Sequence, residues 1–274
     1  MSSMTEPIIL AGSPLFYLLL AVIGLLTGTY GTMVGLGGGI ILLPVLLFLF
    51  PDAPPEALTG ISLSVVLINA LSGTAAYARH GRIDYRSGAL FAVATIPGTI
   101  IGVWLLRFVE MGLFSTLFGA LLLAVSVLII LRPRTEPAGG ITPQTAENKG
   151  GNPLSRARRA LGTGLSFVVG FIAGLLGIGG GIIHVPMMIY VLRFPLRVAT
   201  ATSQFILIFT TLTGVLTHLA LGTSVSNWMI VVCLALGVIP GAQLGAHLSR
   251  RLRGTVIIRL LALALIILGV RLIF

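Results

Sequence analysis

Acidic side chains are scarce in this chain: seven Asp and Glu in 274 residues, against seventeen Lys and Arg. All of them (Glu6, Asp52, Glu56, Asp84, Glu110, Glu136 and Glu147) fall outside the apolar runs, in a tail, short loops or one polar stretch. No carboxylate therefore stands at membrane depth, where a cation carrier needs one to pair with its ion or relay a proton. Cysteine is scarcer still. A lone Cys233 excludes an intramolecular disulfide and a multi-cysteine metal or redox centre; inside an apolar run it reads as a small core residue. There is no Gly-x-Ser-x-Gly, no His-Glu-x-x-His and no intramembrane Asp pair, so an enzyme is not expected, and neither a cofactor nor a metal.

What the chain does have is apolar length. Its residues are 56% hydrophobic and 9% charged, whereas soluble domains carry roughly 25% charged residues. Apolar runs cover residues 15–34, 40–50, 57–78, 88–106 and 112–131, then 161–176, 182–192, 198–221, 228–247 and 256–274. Strands of a membrane barrel would alternate apolar and polar residues, and these runs do not. The expectation is an all-α membrane protein of about 8–10 membrane helices. The formal charge of +10 does not point to nucleic acid, because the basic residues sit mostly in short loops, as the positive-inside rule requires.

Glycine is the second abundance. Gly35-Leu36-Gly37-Gly38-Gly39-Ile40-Ile41-Leu42-Leu43-Pro44 returns as Gly177-Ile178-Gly179-Gly180-Gly181-Ile182-Ile183-His184-Val185-Pro186. Other landmarks repeat in the same order. Thr59-Gly60-Ile61-Ser62 matches Thr200-Ala201-Thr202-Ser203, Gly73 matches Gly214, Gly81 matches Gly222, and Ile96-Pro97-Gly98 matches Ile239-Pro240-Gly241. The chain thus divides into a tail (1–14), a first membrane repeat (15–131), a polar linker (132–160) and a second repeat (161–274).

Loop charges give orientation. Arg79, Arg82 and Arg86, the arginine-rich linker, Arg193 with Arg197, and Arg250, Arg251 and Arg253 all mark the cytoplasmic side; the loops 51–56 and 222–227 face outside. Both termini are then outside, and equivalent helices of the halves run in opposite directions: an inverted-topology repeat. Short, glycine-interrupted segments at matching positions of two halves point to a transporter binding site.

With no buried carboxylate, the expected partners are a small anion, protons and the lipid bilayer. Helix N-termini after Gly37, Gly38 and Gly39 and after Gly179, Gly180 and Gly181 offer free amides and a positive dipole end; close helix packing explains the same glycines equally. Thr59, Ser62, Ser64 and Asn69 in the first half, with Thr202, Ser203 and Gln204 in the second, supply neutral hydroxyls and amides, either for an oxyanion or for helix carbonyls. His184 replaces Leu42 of the first copy and is a candidate for pairing with the anion or for relaying a proton, while His218 and His247 read as interfacial. Pro97 and Pro240 should kink or break their helices, and Gly98/Gly102 and Gly237/Gly241/Gly245 mark close packing between the halves. Asp84 reads as a helix cap.

The two glycine motifs with Pro44 and Pro186, Thr202-Ser203, Gly81-Arg82-Ile83-Asp84 and Pro240-Gly241 with Arg250-Arg251 resemble the TauE/SafE sulfite exporter family along nearly the whole chain. The resemblance implies a proton-linked secondary transporter exporting sulfite, sulfoacetate or a similar organosulfonate by alternating access. The rival readings are a passive anion channel and a non-transporting accessory subunit of a redox or metal-insertion complex.

Overall fold

The computed structural model describes residues 14–131, 156–223 and 228–249, with 266, 269 and 270. The tail before 14, the linker 132–155, residues 224–227, Arg250, Arg251 and Arg253, and most of the expected last helix lie outside the described residues. Those described form helices and no strand: α1 (Pro14–Val34), α2 (Gly39–Leu49), α3 (Pro55–Ala78), α4 (Tyr85–Leu106), α5 (Met111–Leu131), α6 (Arg156–Leu176), α7 (Gly181–Pro186), α8 (Leu196–Ala220) and α9 (Trp228–Leu248). A π-helical turn, Met187–Val191, continues α7. Six of these helices are long and apolar enough to cross a membrane. α6 begins inside the stretch read as linker, because Arg156 to Ala160 are all arginine or alanine, both strong helix formers.

Glycine sets how closely the helices approach. Carbons added at Gly24 and Gly28 of α1 would run into the backbone of Leu234 and Val238 in α9, and those at Gly237, Gly241 and Gly245 into Ala21, Leu25 and Thr29. The numbers rise together, so α1 and α9 run parallel. The same holds between α4 and α6, where Gly98 and Gly102 face Phe167 and Phe171, and Gly170 and Gly174 face Thr95 and Thr99. Each pair joins the first helix of one half to the fourth of the other. Backbones this close gain dispersion contacts along their length, the main attraction available between helices in lipid.

α3 and α8, which are equivalent helices, form the centre and run antiparallel: Thr59 lies beside His218, Leu63 against Gly214, and Gly73 near Gln204. Large apolar side chains such as Leu18, Leu26, Val93, Trp104 and Leu236 remain exposed on the outside, as a lipid-facing surface requires. Pro97 and Pro240 do not break their helices; α4 and α9 pass through them.

Candidate functional site

The two glycine turns meet. A carbon added at Gly181 would stand 2.7 Å from the Gly35 carbonyl oxygen, and one at Gly39 would stand 3.0 Å from Ile178. Gly37, Gly39 and Gly179 all press on Val66, midway along α3, and Gly37 and Gly179 also press on Leu207 in α8. Gly35, Gly37, Gly38, Gly177, Gly179 and Gly180 have φ between 66° and 88°, left-handed backbone that only glycine adopts without cost. The turn closes α1 by its own amides: Gly35 N donates to Thr32 O, and Leu36 N and Gly37 N donate to Gly31 O.

The chain then reverses. α2 has 11 residues, about 16 Å at 1.5 Å per residue, half of a bilayer core. α7 and its π turn are equally short. Each hairpin is therefore a full-length helix followed by a half-length return, and the two returns start back to back in the interior. Gly38 and Gly180 precede α2 and α7 without a side-chain cap, so the first amides of each helix end are left to other partners.

The expected polar residues divide into groups. Ser62 and Ser203 are exchange mates: Ser62 Oγ donates to Gly177 O at 2.7 Å, and Ser203 Oγ to Gly35 O at 3.0 Å. Each half thus caps the turn of the other. Thr59 packs on Gly177 as Thr200 packs on Gly35. Ser64 only bonds back to Gly60 O within its helix. Thr202 lies at the α4 entry, accepting from Asp84 N at 3.0 Å, while Asp84 caps α4 through Ser87 N and Ser87 Oγ. Ser64 and Thr202 are therefore not gathered around the turns: Ser64 bonds within its own helix, and Thr202 meets the start of α4.

Asn69 and Gln204 are gathered, with two residues that sequence reasoning did not select. Thr32 Oγ1 donates to Asn69 Oδ1 at 3.0 Å, and Gln204 Nε2 donates to Gly31 O at 3.4 Å. Gly73 stands between them: a carbon added there would lie 3.1 Å from Thr32 Oγ1 and 3.3 Å from Gln204 Oε1. Asn69 Nδ2 and Gln204 Oε1 are buried without a hydrogen-bond partner. The signal for Thr32 was its place one turn before Gly35 at the end of α1.

The histidines exchange importance. His184 is fully buried on α7, with Nε2 3.4 Å from Ser166 Oγ and Nδ1 without a partner; it sits apart from Asn69 and Gln204. His218, expected at the interface, is 2% exposed. Its Nδ1 is 3.0 Å from Thr223 Oγ1 and its Nε2 3.4 Å from Thr59 Oγ1. It is interior because α3 covers the end of α8, a contact no local pattern reveals. Among the described residues no three His, Cys, Asp or Glu side chains could hold a metal.

Comparison with known proteins agrees with this architecture. The family described as "Sulfite exporter TauE/SafE" matches residues 20–272. The probable membrane transporter protein YunE of Bacillus subtilis is 35% identical, over 94% of this chain and 97% of that protein. A probable membrane transporter protein of Xylella fastidiosa is 29% identical over 80% of each chain, and YjnA of Bacillus subtilis is 27% identical over 91% of this chain and 97% of its own length. No solved structure matches. A multi-pass helical membrane protein with this match along nearly its full length belongs to the TauE/SafE family, and its relatives are named as membrane transporters.

Proposed function

We propose that this protein is a secondary transporter exporting a small sulfur-containing anion (sulfite, sulfoacetate or a similar organosulfonate) across the inner membrane by alternating access of two inverted halves. The observation that carries the reading is the meeting of two half-length, glycine-turned hairpins midway along α3 and α8. Helix ends without side-chain caps, at that depth, are the membrane form of an anion site. The antiparallel run of α3 and α8 supports inversion, and the family description supports the sulfur anion. The loop charges support termini outside and a cytoplasmic linker.

Coupling to protons has two candidate carriers: His184, or the substrate itself. Proteoliposomes loaded with sulfite or sulfoacetate test both levels. Efflux stimulated by a pH gradient is expected from the wild type, and its absence refutes export. Efflux kept in His184→Ala would remove only the relay and leave the proton on the substrate.

A further inference from the structure

We infer that the ligand-recognising contact is made off the pseudo-symmetry axis, beside the first glycine turn only, by Asn69 Nδ2 and Gln204 Oε1 next to Gly73, and that it takes a small oxyanion carrying one proton. This rests on the transport reading for its substrate class, and the site itself stands on three observations.

The first is the pair of orphaned atoms. Asn69 is 1% exposed and Gln204 is 0% exposed, and each presents one polar atom with no partner. Leaving such a group unpaired costs roughly 1–3 kcal/mol. The remaining capacity is chemically specific. Thr32 donates to Asn69 Oδ1 and Gln204 Nε2 donates to Gly31 O, so the atoms left with no partner at all are a donor group, the Asn69 Nδ2 amide, and an acceptor, the Gln204 carbonyl oxygen. A fully deprotonated oxyanion accepts only and leaves Gln204 Oε1 unmet. An oxyanion with one O–H accepts from Asn69 and donates to Gln204.

The second is the close approach and the field. Gly73 lies one helical turn beyond Asn69 on the same face of α3, and its lack of a side chain lets Thr32 Oγ1 and Gln204 Oε1 close to 3.1 and 3.3 Å from where a Cβ would stand. The N-terminal end of α2 abuts the same place, because a carbon on Gly31 would run into Gly38 N. The positive end of an 11-residue helix favours a negative charge there without a cationic side chain.

The third is the other half, which serves as an internal control. The repeat spacing that pairs Ser62 with Ser203 and Gly73 with Gly214 puts Leu63 opposite Gln204 and Thr210 opposite Asn69; Gly174 takes the place of Thr32. Gly214 faces Leu63 Cδ1 at 2.8 Å where Gly73 faces Gln204 Oε1. The fold is satisfied by an apolar residue at this position, so packing does not require Gln204.

Binding to the purified full chain tests this, by calorimetry with sulfite at acidic and alkaline pH and with sulfate throughout. Hydrogen sulfite should bind, the affinity should fall as the dianion replaces it, and sulfate should bind at least about tenfold more weakly, as expected when a buried acceptor is left unpaired. Gln204→Leu and Asn69→Thr, which copy the second half, should each lose about tenfold or more in affinity. Gly73→Ala should do the same by pressing a methyl on Thr32 and Gln204, with both amides intact. The melting temperature of Gln204→Leu should hold or rise. No binding by the wild type, equal binding of sulfate and hydrogen sulfite, or unchanged affinity in Gln204→Leu or, should that variant not fold, in Asn69→Thr and Gly73→Ala would each overturn the inference and leave the pair as a seat for a bound water. Transport is read separately: efflux that survives Gln204→Leu with unchanged binding sinks this site alone, whereas Gln204-dependent binding without efflux sinks export and keeps the site.

Discussion

The two halves of this protein solve the same packing problem and carry different chemistry. Both turn a long helix back on four glycines, both have the turn capped by a serine from the opposite half, and both lay a small-residue face on the other half's fourth helix. Beside the first turn stand Thr32, Asn69 and Gln204; the corresponding places hold Gly174, Thr210 and Leu63. His184 stands where the first copy has Leu42, a core residue. The frame the halves share has contacts constrained by backbone approach, and the side chains in which they differ do not set that approach.

The largest effect should come from breaking the frame in both halves alike. Gly98→Leu and Gly237→Leu each drive a side chain into a backbone carbonyl, of Phe167 and Ala21 respectively, and each should abolish monodisperse protein in size-exclusion chromatography. Survival of one variant would show that its interface is looser than its mate. Next come the turns. Gly35→Ala and Gly177→Ala place a methyl on left-handed backbone, φ 82° and 66°, at about 1–2 kcal/mol for the conformation alone. Threonine backbone 2.7 and 2.8 Å away adds to this, so both should lower the melting temperature by more than that penalty implies.

Smaller effects test the caps. Ser62→Ala and Ser203→Ala each delete one bond to the opposite turn and should cost about 0.6–1.7 kcal/mol, the range of interhelical hydrogen bonds in lipid. Thermal unfolding in detergent measures both, and clearly unequal losses would break the equivalence of the two caps. The smallest change should be His184→Leu, which copies Leu42. It removes an unpartnered Nδ1 and one long contact to Ser166, so stability should be unchanged or slightly higher. The reverse change, Leu42→His, should destabilise, because Leu42 lies in the apolar core.

The frame was readable in the sequence because glycine declares its own reason. Positive φ and close approach both demand it, so the motifs at Gly35 and Gly177 and the stripes at Gly98 and Gly237 announced turns and contacts. Asp84 was equally legible, as a cap needs only its own neighbours. The polar residues were not. Ser62 and Ser64 look alike on α3, yet one reaches Gly177 across 115 residues and the other bonds its own helix. His218 is buried by α3, and Thr32 joins Asn69 from another helix. Such partners are set by tertiary contact, which periodicity within one helix does not encode.

The parallel pairing of α1 with α9 has a consequence for biogenesis. α1 enters the bilayer long before the helix that fills its glycine groove, which is made only after α8. α4 waits in the same way for α6, across the linker. In the interval these grooves lack the helix whose backbone they fit. A chain stopped after the linker would therefore be a substrate for membrane quality control, and the two repeats expressed as separate pieces should mature only when they are inserted together.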